Sequence, residues 1–469
     1  MPLTTAFALG IGAALIYAAI ALLPGATALD NDTLSLVLAW KLIREGVVLD
    51  QWTIATPKPL LILVDGLLWE LLGLSAVVVR SVVTFGALVG FTALLVGRYW
   101  GATTATIVAV ILTAHRELLT ATLSGNSSVA FATCLVAALV VRTRLSASLL
   151  ALFAASLIRS EGLVYLGLAV VAIPFVAPPE GRRKAAGLAI LLIGLAPLID
   201  AIAPSLISGR FRTNFEVTRE ISEAATVRAK RTTGQDYHLD HYRRLESSYA
   251  ETLTLLLGRH LRPLPFYVFG SLLGLWAWRQ RSTSGLRLML YLGIPPLIYC
   301  WAFHLMGFAV FGRFLLPTTI AALILTVTGL IWLAQQLSRW PLARAAVAIV
   351  GTAALAVAIR DAYYDQRGYL MESARSQADF RQMIEPLANE PLGSKRLLVS
   401  GAWWPHTHLA LQTDLNRSVR TDDVVDSRSI DDVDYMIISS DDPTANEPGF
   451  VVKGTSPSGH YTIVERIRN

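Results

Sequence analysis

The sequence predicts an α-helical multi-pass membrane protein of about eleven transmembrane helices, followed by a small C-terminal extracytoplasmic α/β domain. Three observations carry that expectation. Of the 469 residues, 54% are hydrophobic, and the mean hydropathy is +0.52. Charged residues make up only 16%, against about 25% in soluble domains, so most of the chain must have lipid as its solvent. Apolar runs of spanning length recur from the first residues to position 359, and beyond them the chain switches to short β-branched runs. The formal charge of +6 then reflects Lys and Arg in cytoplasmic loops and gives no case for a nucleic-acid partner.

Runs of about 20 residues, enough to span, lie near 4–24, 77–97, 102–122, 126–142, 184–204, 313–335 and 341–359, with shorter ones near 145–158, 161–177, 264–278 and 286–303. The first lacks a basic segment ahead of it and precedes many others, so it reads as a retained helix and not a signal peptide. PLLILVDGLLWELLG (59–73) is short and carries Asp65 and Glu70, which suits a helix lying in the interface. Leaving it out puts Arg98, Arg142 and Arg144, Arg182 to Lys184, Arg279 to Arg287, and Arg339 with Arg344 all on one side. The positive-inside rule makes that side cytoplasmic. Cys134 and Cys300 fall inside apolar runs and read as small core residues.

On this topology residues 1–360 form the membrane domain, and three larger segments face the exterior. They are 25–76, the polar, helix-prone 205–262, and 361–469. In the last, KRLLVSG, VDYMIISS, GFVVKG and HYTIVERI alternate with helical stretches, the pattern of a small α/β domain.

The segment LDNDTLSLVLAWKLIREGVVLDQWTIATPKPLL (29–61) is the most informative. Asp32 or Thr33 can cap a helix running to Glu45 and stopped by Gly46. Leu34, Val37, Leu38 and Leu42 recur at helical spacing, so this helix should be amphipathic and lie on the membrane surface. Asp30 and Asp32 are thereby set at the outer lipid–water boundary, although an Asp there serves equally as a helix cap. Pro57 and Pro59 restrict the backbone around Lys58. A lysine fixed at headgroup level suits a lipid phosphate, and a snorkelling lysine at a helix end explains it as well.

These residues resemble the GT-C glycosyltransferases, above all the lipid-phosphate-sugar-dependent bacterial aminoarabinose, protein O-mannosyl and arabinosyl transferases. In that family an acidic pair opens the first interfacial helix and a KP turn opens the second. Asp32 matches the catalytic position best and Asp30 competes with it; Lys58-Pro59 matches the KP element. More loosely, Arg80, LIRSEGLVYL (157–166) and FGRFLLPTTIAAL (311–323) are similar to later family segments. The resemblance implies a polyprenyl-phosphate sugar donor, a glycan, lipid or protein acceptor, and an active site on the extracytoplasmic face of the cell membrane. It implies direct displacement with inversion, an Asp acting as general base and Lys58 with one or more of Arg313 and Arg159 stabilising the departing phosphate. No cofactor follows from the residues. A divalent cation (Mg, Mn or Ca) is the one the family admits, but the second Asp outside the fourth helix is replaced by Gly125-Asn126-Ser127.

Ionisable groups inside spans are functional by default. His115, Arg116, Glu117, Arg159, Glu161, His304 and Arg313 all fall at the exterior ends of their helices, beside Asn126. One exterior polar cavity accounts for them, as would structural ion pairs between Arg116 and Glu117 and between Arg159 and Glu161. A transporter or flippase of a lipid-linked glycan should instead show midplane charges and matched repeats, and a non-catalytic accessory subunit has no need of Asp32 and Lys58. His406 and His408 form a His-x-His pair without a third ligand, weak evidence for zinc.

Overall fold

Lipid offers no hydrogen bonds, so an apolar chain satisfies its backbone internally and becomes helix. A computed structural model of the chain describes residues 1–22, 31–46, 48, 58–73, 75–176, 179–220, 248–306, 310, 312–342, part of 345–364, 397–399, 424–425, 434–439, 449–455 and 461–467. Helices run α1 (Leu3–Ala21), α2 (Asn31–Glu45), α3 (Pro59–Leu72), α4 (Ser75–Trp100), α5 (Ala102–Thr113), α6 (Arg116–Leu123), α7 (Ser127–Val140), α8 (Leu145–Ile158), α9 (Gly162–Val176) and α10 (Pro179–Ser208). After them come α11 (Tyr249–His260), α12 (Leu264–Arg281), α13 (Thr283–Leu305), a 3₁₀ turn (Gly312–Leu315) and α14 (Leu316–Gln336). Among the described residues five helices are long and apolar enough to cross a membrane, or six if the bent pair α5–α6 is one span.

The chain divides into two compact units. The first comprises Met1–Leu23, Leu74–Ile199 and Ser222–Gly368 and holds the apolar bundle. Small residues let its helices touch backbone to backbone, the usual device where lipid gives no hydrophobic drive. A Cβ on Gly10 of α1 would stand 2.6 Å from the Gly86 carbonyl oxygen of α4. One on Gly274 of α12 would stand 2.1 Å from the Leu325 carbonyl oxygen of α14. Trp278, fully buried, donates its indole N–H to Thr328 Oγ1 at 2.9 Å across the same α12–α14 seam. Cys134 and Cys300 are free thiols, the latter buried.

The second unit comprises Pro24–Gly73, Asp200–Ile221 and Tyr369–Asn469. Here α2 and α3 form a hairpin closed by Trp40, whose ring occupies the space a Cβ on Gly66 would need. The Trp40 indole N–H donates to Glu70 Oε1 at 3.2 Å, and Arg44 pairs with the same carboxylate. At the end of α10, Asn214 donates to Asp200 Oδ2 at 2.6 Å and the Arg212 amide donates to Ser205 Oγ at 3.0 Å.

The same unit holds a five-stranded sheet of β1 (Leu397–Val399), β2 (Val424–Val425), β3 (Tyr435–Ser439), β4 (Phe450–Thr455) and β5 (Tyr461–Arg466), ordered β2-β1-β3-β5-β4. β1 pairs in parallel with β2 and β3, while β5 pairs antiparallel with β3 and β4. Consecutive residues Tyr435 and Met436, and Ile463 and Val464, are buried. Because side chains alternate faces along a strand, both faces of the central strands are covered.

Two expectations about local structure change. The run 102–122 is not one straight helix: it breaks at Ala114–His115 and bends by 58°. Three consecutive polar residues, His115 to Glu117, stand at the break. The Tyr17 hydroxyl of α1 donates to the Thr113 carbonyl at 2.9 Å, satisfying an acceptor that the break frees from the helical ladder. The second change concerns α2, which begins at Asn31, so position 32 lies in the first helical turn and is not its cap. Thr33 to Ala39 are all buried, and the exposed residues gather at Arg44 to Gly46. Residues 33–39 therefore present no wet face. Gly46 does stop the helix, at φ 67°, a conformation that glycine adopts without strain.

Candidate active site

In the first unit a polar belt connects several helix ends. It starts at Arg80 in the first turns of α4, which is buried and donates from Nη2 to the Gly125 carbonyl at 2.8 Å. That carbonyl belongs to the tight α6–α7 loop, where Gly125 has φ 74°. Asn126 follows as the N-cap of α7, its Oδ1 accepting from the Ser128 amide at 2.9 Å and the Ser128 hydroxyl at 2.7 Å. The proposed cavity residue Asn126 is thus committed to a helix end through its carbonyl oxygen, one of the preferred chemistries for that position.

Ser127, the next residue, meets Arg159 Nη1 at 3.5 Å. Arg159 ends α8 in extended conformation, and its Nε and Nη2 both donate to Glu161 Oε1, at 2.9 and 2.5 Å. Both side chains are buried, at 5% and 6% exposure. The Arg159 guanidinium lies 5.1 Å over the Phe314 ring, a cation–π geometry. Phe314 also meets Tyr299 and Phe303 edge-on, at 5.7 and 5.6 Å. Each of the three Arg159 nitrogens meets Glu161 or Ser127, which anchors the guanidinium inside the protein.

Phe314 belongs to the Gly312–Leu315 turn, whose other end meets His260. A Cβ on Gly312 would lie 2.3 Å from His260 Nε2. His260 Nδ1 stands 3.4 Å from Thr319 Oγ1, and Nε2 stands 3.7 Å from Glu117 Oε2. Glu117 is also 3.9 Å from Arg116 Nε, so of the two ion pairs weighed from the sequence, Arg159–Glu161 is the tight one. His115, at the break, precedes α6 as its N-cap residue without a side-chain cap bond. His304 sits at the far end of α13, its ring 5.8 Å from that of Tyr249, and Arg313 is half-buried in the turn. The structure therefore joins Arg159, Glu161, Ser127 and the Arg313 turn, joins Glu117 to that turn through His260, and leaves His304 at the margin.

Sequence reasoning missed His260, Thr319 and Ser127. His260 closes the helix α11 with nothing in its spacing to mark it. Its partners stand 143 and 59 residues away, and no local pattern reports such distances.

In the second unit Lys58 is the residue before α3, with Pro59 at the first helical position. It is buried, at 9% exposure, and its carbonyl accepts from the Ile62 amide at 2.9 Å. Asp30 lies outside the described residues. For Asp32 the helix position is described and the side chain is not. The pair His406–His408 also lies outside. Along the α2–α3 hairpin the Arg44 guanidinium, then the Trp40 N–H, hold the Glu70 carboxyl below its ordinary value. Burial lowers Lys41, against the pull of Glu45 and Glu70, and its ammonium lies 5.4 Å from the centre of the Trp69 ring.

A divalent cation needs several oxygen or nitrogen ligands converging on one point. Among the described residues no group of three or more His, Cys, Asp or Glu side chains could hold one, and the Asn126 oxygen is already spent as a cap. The Asp30 and Asp32 side chains lie outside the described residues, and no step below uses a metal.

Comparison with solved structures then gives the fold. ArnT from Cupriavidus metallidurans, an aminoarabinose transferase, matches in its apo state with a TM-score of 0.63 at 15% identity, over 97% of both chains. The same protein bound to undecaprenyl phosphate matches at 0.59. The chain has the GT-C fold. The archaeal oligosaccharyltransferase AglB from Archaeoglobus fulgidus, in complex with an inhibitory peptide and a dolichol-phosphate, shares this fold at 0.57 and 11% identity, over 97% of this chain and 74% of AglB. No family model matches the sequence, and neither does any curated protein. The GT-C fold is thus legible in three dimensions at an identity where sequence comparison fails.

Proposed function

We propose that this protein is an integral-membrane glycosyltransferase that moves a hexosyl or pentosyl group from a polyprenyl-phosphate donor to an acceptor hydroxyl of a cell-envelope glycan, lipid or protein. The observation that carries the reading is the GT-C fold across 97% of the chain, in company with the Asp32 and Lys58-Pro59 pattern of the first exterior segment. Both comparison proteins were solved with a lipid phosphate, undecaprenyl in ArnT and dolichol in AglB. The reaction runs at the extracytoplasmic face of the cell membrane. Its eleven spans include the five long helices, the bent α5–α6 pair, the shorter apolar helices α7, α8 and α9, α12, and the run 341–359. Residues 361–469 extend as an exterior α/β domain.

Asp32 acts as general base, with Asp30 the alternative. It takes the proton from the acceptor hydroxyl as that oxygen attacks the anomeric carbon. The bond from that carbon to the phosphate oxygen breaks, and the polyprenyl phosphate leaves with the electron pair, one charge more negative. The configuration inverts. Lys58 offers that phosphate a point charge whose desolvated setting strengthens the attraction. Arg313, from its place in FGRFLLP, supplies a second cation, and Arg159 supports it from behind.

The test is transfer by the purified full chain from polyprenyl-phosphate sugars extracted from bacterial membranes, comparing wild type with Asp32→Asn, Asp30→Asn and Lys58→Ala. Asp32→Asn should lower turnover 100-fold or more with donor binding retained, and Lys58→Ala should raise the donor KM. Wild-type kinetics in all three variants sinks this mechanism. Passage of a lipid-linked glycan across vesicles, with no transfer from any donor, would make the protein a transporter.

A further inference from the structure

We infer that the buried Arg159–Glu161 pair and His260 with the half-buried Glu117 beside it are positioning residues that grip the Gly312–Leu315 turn on both sides of Arg313 and so fix that arginine for the donor's phosphate. The inference rests on the glycosyltransferase reading, in which Arg313 is a phosphate contact.

A single 3₁₀ turn is a poor platform for a long side chain, because its hydrogen bonds are badly aligned and such turns stay short. This one is held from outside. On the C-terminal side of Arg313, the Phe314 ring lies under the Arg159 guanidinium at 5.1 Å and is walled edge-on by Tyr299 and Phe303. Arg159 cannot swing away, because Nε and Nη2 are both bonded to Glu161 Oε1. On the N-terminal side, Gly312 has no side chain, and the His260 imidazole fills the space where one would be. His260 in turn packs with Nδ1 3.4 Å from Thr319 Oγ1 and Nε2 3.7 Å from Glu117 Oε2.

The residues immediately before and after Arg313 are thus each pinned by a buried side chain that is itself pinned. A cation whose backbone is already fixed loses less freedom on meeting its ligand, which is how preorganisation yields affinity. It also explains why an arginine and a glutamate are buried together beside a site that needs cations: the pair shows no net charge to the phosphate and leaves that task to Arg313.

The experiment measures binding of undecaprenyl phosphate to the full-length protein in nanodiscs. Arg313→Ala should weaken binding about tenfold, the scale of one charge-assisted hydrogen bond. Phe314→Leu, Gly312→Ala and Glu161→Gln should each weaken it about three- to tenfold while Arg313 is present. On top of Arg313→Ala, none of them should weaken it further by more than about twofold. Phe314→Leu leaves both pairs intact, so it carries the test even if Glu161→Gln does not fold. Equal losses with and without Arg313 would overturn the inference and leave the transferase reading standing. Wild-type binding in Arg313→Ala would overturn the phosphate role of Arg313, and the inference with it.

Discussion

Replacing Glu161 by alanine should cost the fold about 3–5 kcal/mol, the range for breaking one member of a buried ion pair. The carboxylate oxygen that goes accepts two charge-assisted hydrogen bonds, from Arg159 Nε at 2.9 Å and Nη2 at 2.5 Å. What remains is a guanidinium at 5% exposure, with little water to replace the lost acceptor. The Phe314 ring stays beneath it, and a cation–π contact of about 1–2 kcal/mol does not offset that loss. Glu161→Gln keeps an acceptor oxygen but no charge and should cost about half as much. The informative variant is the double replacement Arg159→Met with Glu161→Leu. It removes both charges and restores apolar packing, and it should return to within about 1 kcal/mol of wild type. Unfolding by SDS titration in mixed micelles, followed by tryptophan fluorescence, reads all three. A Glu161→Ala protein within about 1 kcal/mol of wild type would refute the reasoning, because it would mean that water or another acceptor reaches Arg159.

Two further predictions follow from other parts of the molecule. Gly274→Ala should lower stability by about 1–3 kcal/mol or more, since its Cβ would meet the Leu325 carbonyl oxygen at 2.1 Å and a backbone atom cannot step aside; Gly258→Ala in α11, with nothing within 4 Å, should raise it slightly, and thermal unfolding of both variants checks the pair. Glu70, whose folded value is lowered mainly by Arg44, adds stability that is complete above about pH 5 and is lost as pH falls through that lowered value. The amide protection factors of α2 should therefore differ between wild type and Glu70→Gln at neutral pH, modestly because the pair is exposed, and converge in acid.

Helical periodicity and span length are local properties, and the sequence located nearly every helix. The runs near 77–97, 145–158, 161–177, 264–278 and 286–303 all became helices within a few residues of their expected ends. The same holds for the β-branched runs, since VDYMIISS and HYTIVERI contain β3 and β5 and GFVVKG covers all of β4 but Thr455. Where local signals competed, the reading slipped. The apolar run 102–122 looks continuous to a hydropathy window, but its break at His115 draws on Tyr17, 96 residues earlier, to satisfy the Thr113 carbonyl. Asn126 stood out as a polar residue at a helix mouth, and only its bonds to Ser128 reveal a cap.

What the sequence by itself determined is that this chain lives in a membrane, where its helices and strands lie, and that the segment after its first helix carries Asp32 and Lys58 in a glycosyltransferase-like pattern. Each of these depends on composition or on residues within a few turns of one another. Only the tertiary structure decided which polar residues meet: that Arg159 pairs with Glu161 inside the protein, that Phe314 covers it, and that His260 fills the space beside Gly312 while facing Glu117. The physical reason is separation. A buried charge must find its partner wherever helix packing brings one, and packing depends on how small residues such as Gly10, Gly86 and Gly274 let whole helices approach, which no stretch of sequence records alone.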